Sequence, residues 1–230
     1  MKRTIIFIFA MVMFASVSFA DGVPTKNNTN ATKTIAAPSF DDDNFLLPDG
    51  YFNINYNLGW SVGQMNSYIN TNSYRGFSID GRKFINDNFT VGGYMSWTGF
   101  YEKFERKTYQ VDESTTVTGV GTNTYYNFNI GMNVHYYPLK NGVIRPYIGV
   151  NLGPTWQTLS TQLGRFYIED RSWQFMVAPE LGVFIPFGAG SDIGINTGVR
   201  YNLVSFKNTT FGFDHGITYM QWFVGVTMEY

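Results

Sequence analysis

The chain has 230 residues, with 16 Lys and Arg against 17 Asp and Glu for a formal net charge of -1, which offers no footing for nucleic acid. It has no cysteine, which excludes a disulfide framework and a lipid-anchored N-terminal cysteine. Charged residues make up 14% and aromatics 18%, against roughly 25% charged in ordinary soluble domains. Beyond the N-terminus no apolar run approaches the roughly 20 residues of a membrane helix. A closed β-barrel is the other way to cross a bilayer, and this composition fits it.

Lys2 and Arg3 precede an apolar run from Ile5 to Phe14, and Ser18-Phe19-Ala20 follows. That layout predicts a cleaved secretory signal over residues 1–20, with Asp21 as the mature start. Residues 21–50, containing "KNNTNATKT" and "DDDN", read as a flexible periplasmic leader. The Asp41–Asp43 run is followed by no EF-hand spacing and reads as a solvated acidic tract.

From Tyr51 the period becomes two. Phe52, Ile54, Tyr56, Leu58, Trp60 and Val62 alternate with Asn53, Asn55, Asn57, Gly59, Ser61 and Gly63, the pattern of a strand with one apolar and one polar face. Seven more segments follow: Gly76–Ile85 (the weakest pattern), Phe89–Phe100, Thr124–Pro138, Ile144–Trp156, Trp173–Phe187, a seventh carrying Ile193 to Leu203, and a last carrying Met220 to Tyr230. Long polar connections over residues 65–75, 102–116, 157–171 and 205–215 alternate with short turns at Asn86-Asp87-Asn88, 139–142 and 188–191. Long loops at one end and tight turns at the other predict an all-β fold: an eight-stranded antiparallel up-and-down transmembrane β-barrel over residues 51–230.

A soluble lipocalin-like barrel also alternates, but with a charged face outward. Here the polar parity is mostly Asn, Gly, Ser and Thr, which suits a crowded interior, so the apolar parity is assigned to lipid. Trp60, Trp97, Trp156 and Trp173 fall where strands meet the long loops, and Tyr136, Phe187 and Tyr230 fall near the turns. These are expected to form two aromatic belts at headgroup level. The inward charges are Asp80, Arg82, Arg145, Glu180 and Arg200. A three-residue hairpin loop at 189–191 sets Glu180 opposite Arg200, which predicts a buried ion pair and a lumen closed to free diffusion.

The segments "RGFSIDGRKFINDNFTVGGYMSW", "VHYYP", "RPYIGVNLG", "FMVAPELGVFIPF" and the terminal "WFVGVTMEY" resemble the small outer-membrane β-barrel proteins common in Bacteroidetes. More distantly, they are similar to eight-stranded barrels of the OmpA and OmpW type. The resemblance implies a location in the cell outer membrane, among lipids and lipopolysaccharide, with insertion by the barrel-assembly machinery. It specifies fold well and activity poorly, because one barrel hosts many functions.

Gly59-Trp60-Ser61-Val62-Gly63 matches G-x-S-x-G, but a nucleophile elbow needs a sharp strand-to-helix turn, and the alternation runs straight through Ser61. Barrel closure brings Ser61 and His215 to the same end, so they are carried as weak catalytic candidates. No phosphate loop, H-E-x-x-H or Cys/His cluster occurs, so neither a cofactor nor a metal is expected. The expected role is a non-enzymatic outer-membrane barrel with a packed polar lumen, structural or engaging a surface partner through its long loops. The alternatives left open are OmpW-like passage of small hydrophobic molecules and a lipid-modifying hydrolase or acyltransferase.

Overall fold

The computed structural model describes residues 49–110, 116–139, 144–188 and 190–230. The expected signal sequence, nearly all of the expected leader, Ala189 and most of the 139–142 turn lie outside these residues.

Eight strands follow in order: β1 Gly50–Val62, β2 Gly76–Phe84, β3 Phe89–Gln110, β4 Thr116–Tyr136, β5 Arg145–Leu163, β6 Phe166–Pro186, β7 Ile193–Val204 and β8 Ile217–Glu229. Each pairs antiparallel with its chain neighbours, and β1 closes on β8. That seam runs from Tyr51 opposite Glu229 to Val62 opposite Thr218, so no edge is left along the barrel wall. A short helix, α1 (Gln64–Tyr68), follows β1, and a 3-10 turn at Thr209–Phe211 lies between β7 and β8.

The period-two pattern becomes two faces. Along β1, Tyr51, Asn53, Asn55, Asn57 and Gly59 are buried in the lumen, while Phe52, Ile54, Tyr56 and Trp60 are exposed outside. The same alternation holds along β4, β6, β7 and β8.

Two of the four expected long loops are β-structure. Residues 102–110 and 116 lengthen β3 and β4 well beyond the barrel rim, with 111–115 outside the described residues, and residues 157–171 lengthen β5 and β6 about a tight turn at Gly164. Both faces of these extensions carry polar residues, so the amphipathic signal that marks a half-buried strand is absent there. A bulge in β3 between Lys103 and Arg106 breaks the alternation further.

Inside the barrel, rings lie over glycines on the next strand. Tyr147 sits directly opposite Gly182 and His135 opposite Gly149, and a Cβ on either glycine would overlap the facing ring. Eight strands enclose little space, so a large residue on one strand requires a small one beside it. Gly149→Ala is expected to lower stability by about 1–3 kcal/mol by displacing His135, read as a lower urea midpoint for unfolding from lipid vesicles. Gly81→Ala, with no atom near its added methyl, is the control and stays within about 0.5 kcal/mol.

Candidate functional site

The outer wall decides the solvent. Ile54, Met132, Ile148, Leu181 and Val226 are each more than half exposed, and they belong to a continuous apolar band around all eight strands. A water-soluble monomer rarely carries an apolar patch beyond a few hundred Å², whereas hydrocarbon requires one. β1 has 13 residues, roughly 40 Å of strand at ~3.3 Å per residue, enough to cross a ~30 Å core when tilted. This is a transmembrane β-barrel.

The expected belt residues lie on this wall. At the loop end Trp60, Trp156 and Trp173 are exposed, and Trp156 packs edge-on against Trp173 with ring centres 5.3 Å apart. Trp97 is half-buried, stacked 6.0 Å from Tyr126. At the turn end Tyr136, Phe187 and Tyr230 are exposed, with Tyr136 against Phe89.

The interior has three tiers. The middle tier is ionic and centres on Glu180. Its Oε2 accepts from Arg200 Nε at 2.8 Å and Asn151 Nδ2 at 2.7 Å, and its Oε1 accepts from Arg82 Nη2 at 3.3 Å. His135 Nε2 lies 2.9 Å from the same Oε1. Arg82 also donates to Asp80 Oδ2 at 2.6 Å and to the Tyr137 hydroxyl at 2.9 Å, and Asn53 donates to Asp80 at 2.7 Å. Arg200 donates to the Tyr94 hydroxyl at 2.8 Å. Two carboxylates and two guanidiniums, all fully buried, thus form one network of zero net charge. Glu180 stands opposite Arg200 in the β6–β7 register.

The turn-end tier is aromatic. Tyr51, Tyr137, Tyr147, Phe184 and Phe223 pack together, and Arg145 donates from Nη1 to Glu229 at 2.5 Å and to the Tyr51 hydroxyl at 3.1 Å. The loop-end tier is an apolar roof. Met65, Tyr68 and Ile69, on and just after α1, are buried beside Phe100, Tyr125, Leu159, Phe206, Phe213 and Tyr219. The Tyr68 hydroxyl donates to Ser160 O at 2.7 Å, and Asn123 Nδ2 donates to Tyr68 O at 2.7 Å. These bonds tie the first loop across the mouth to β4 and β5.

The lumen is therefore packed but not uniformly polar, since aromatic and apolar tiers sit above and below the ionic one. The period-two count captured the polar inward residues. It does not mark the inward rings, which share their parity with polar residues, as Tyr125 does with Asn123 and Asn127. The roof did leave a signal: Met65, Tyr68 and Ile69 stand at i, i+3 and i+4, a helical apolar stripe inside a polar stretch.

Ser61 and His215 do not form a dyad. The Ser61 hydroxyl bonds Asn66 Oδ1 at 3.3 Å, and the exposed His215 is held by its backbone N–H on Gln64 Oε1 at 3.1 Å. Among the described residues no cluster of His, Asp or Glu has metal-binding geometry.

No protein-family model and no curated protein sequence matches the chain. Among solved structures, it is similar to Neisserial surface protein A at 16% identity and a TM-score of 0.48, over 79% of this chain and 96% of that one. It is similar to Ail, the attachment invasion locus protein of Yersinia pestis, at 11% identity and 0.43, over 79% and 96%. The N-terminal β-barrel domain of Pseudomonas aeruginosa OprF follows at 15% identity and 0.42, over 79% and 99%. The assignment of a membrane barrel rests on this chain's own closed sheet and apolar wall, not on these likenesses.

Removing the centre of the ionic tier leaves two buried guanidiniums short of their counter-charge. Glu180→Ala is expected to cost about 3–5 kcal/mol, measured as the shift in urea unfolding from vesicles. At the mouth, burial pushes the Tyr68 phenol up to about 12, against bonds to Thr161, Thr124 and Ser160 that pull it down. A raised value means the protonated hydroxyl is the stabilising form. Its contribution is complete below pH 10 and lost as pH rises through about 12. Amide exchange at Ile69 should rise over that interval in the wild type, with no such step from this site in Tyr68→Phe.

Proposed function

We propose that the protein is a non-conducting outer-membrane barrel that anchors a surface-exposed β-sheet for interaction outside the cell. The observation that carries this reading is the contrast between the two ends of β3–β6. Below the rim their inner faces are filled by the ionic network and roofed by Met65, Tyr68 and Ile69. Above it the same strands continue into two projecting hairpins exposing Lys103, Arg106, Phe166, Tyr167, Ile168 and Arg171. A filled lumen supports an anchor better than a pore.

The outer membrane is the compartment that this reading requires, with lipid on the apolar wall, lipopolysaccharide around the projecting strands and the turn end in the periplasm. An export signal at residues 1–20 and insertion by the barrel-assembly machinery belong to the same reading.

The test has two arms. Purified protein in planar bilayers is expected to give no stable unit conductance; steady channels would overturn the closed-lumen reading. On intact cells, Thr118→Cys in the β3–β4 hairpin should react with a membrane-impermeant maleimide and Asp87→Cys at the turn end should not. The reverse pattern would place the hairpins in the periplasm.

A further inference from the structure

The projecting strands pair in the order β3–β4–β5–β6, the β3–β4 arm running on past the Gly121–Leu163 pair, and each of the two outer edges has a bare run. β2 pairs with β3 only as far as Gly76 opposite Thr98, extended by a bond from Gly99 N to Arg75 O. Beyond Lys103, β3 pairs with β4 alone. On the other side, β7 pairs with β6 only from Val204 opposite Met176, extended by Ser205 N to Phe175 O. From Phe166 to Gln174, β6 pairs with β5 alone. Next to the rim the first loop still covers β3, with Thr71 Oγ1 donating to Tyr101 O and Asn70 N to Glu102 Oε2, each at 2.7 Å. From Lys103 onward on β3 and from Phe166 to Gln174 on β6, among the described residues, no main-chain group bonds outside its own sheet, and Asp170 meets Asn208 through its side chain only.

Such rows of free N–H and C=O groups are templates for another strand. Three properties select the occupant. The first is direction. All copies in one membrane stand the same way up, β3 climbs from the turn end and β6 descends toward it. The β3 edge of one copy is therefore antiparallel to the β6 edge of a neighbour, whereas like edges side by side would be parallel, the less stable pairing.

The second property is charge. The β3 run carries Lys103, Arg106 and Lys107 against Glu105, and the β6 run carries Glu169 and Asp170 against Arg171, so a net positive edge faces a net negative one. The third is position: with four strands between the two edges, each copy presents one edge on either flank.

The geometry points to self-association in the plane of the membrane, the β3 edge of one copy adding to the β6 edge of the next. The inference rests on the hairpins lying outside the cell, as proposed above. The contact is heterologous, so it propagates as a row or closes as a ring rather than stopping at a two-fold dimer. The exposed Phe166, Tyr167 and Ile168 supply apolar cross-strand partners for the aliphatic stems of Lys103 and Lys107.

The natural chain has no cysteine, which makes the test clean. Lys107→Cys and Ile168→Cys, both at exposed positions, are co-expressed and cells are treated with a short impermeant bis-maleimide. Cross-linked dimers joining the two variants are expected, with few from either variant alone, and the doubly substituted chain should give a ladder of higher oligomers. Adding Arg106→Glu to the Lys107→Cys chain should lower the mixed product roughly fivefold, the size of one unfavourable cross-strand charge contact. Predominant like-with-like products would overturn the proposal in favour of a two-fold arrangement. Labelling of both cysteines by a mono-maleimide without any cross-link would overturn it while leaving the surface reading intact. Failure of both cysteines to label on cells that carry folded, heat-modifiable protein would overturn the surface reading itself.

Discussion

The constraint on which this structure depends is that hydrocarbon offers no partner to a peptide group. Every N–H and C=O along the membrane wall must find its bond within the sheet, and with hairpins alone the only way to leave none over is to return β8 to β1. The twelve paired positions from Tyr51–Glu229 to Val62–Thr218 close that circuit. Once eight strands are joined in this way, the bore is fixed at a width that side chains fill. Packing inside the barrel is then a consequence of closure rather than a separate design.

Closure also dictates how the interior is composed. A wall with an apolar exterior leaves its alternate residues facing inward, where most of them are buried. Small amides and hydroxyls bond to one another, as Thr155 does to Asn127 and Asn202 to Gln221. The larger charges survive only as a neutral set. Glu180 receives from Arg82, Arg200 and Asn151 at once, so the cost of burying it is shared among residues from three other strands. Such a network does more to define which strands lie beside which than to add net stability.

What could be read from the sequence follows the same physics. Wherever one face meets lipid and the other the lumen, as in Phe52 to Trp60, the two-residue rhythm exposes strand and face, and a hairpin loop of three residues is enough to set Glu180 across from Arg200. The rhythm fades where both faces meet water. Glu102 to Lys107 and Gln162 to Arg171 look like loops in composition because a sheet standing in solvent has no apolar side to betray it. Phe206 and Phe213 are invisible for a different reason: Phe213 packs against Tyr68 of another loop and Phe206 against Phe213, and the first of these is a long-range pairing that no local window contains. The G-x-S-x-G match at Ser61 is the opposite case, a local motif produced by small inward residues on an alternating strand.

The roof has a bearing on how this surface can vary. Met65, Tyr68 and Ile69 occupy a connecting segment yet live as interior residues, so the first loop answers to the width of the barrel mouth, and an insertion there would lift a plug. The Gly164 turn is under no such limit, since adding residues in pairs to each arm of its hairpin lengthens a ladder without touching the bore. Grafted peptides and drifting sequence should therefore accumulate at the hairpin tips, while the loop nearest the chain's first strand stays as fixed as a core.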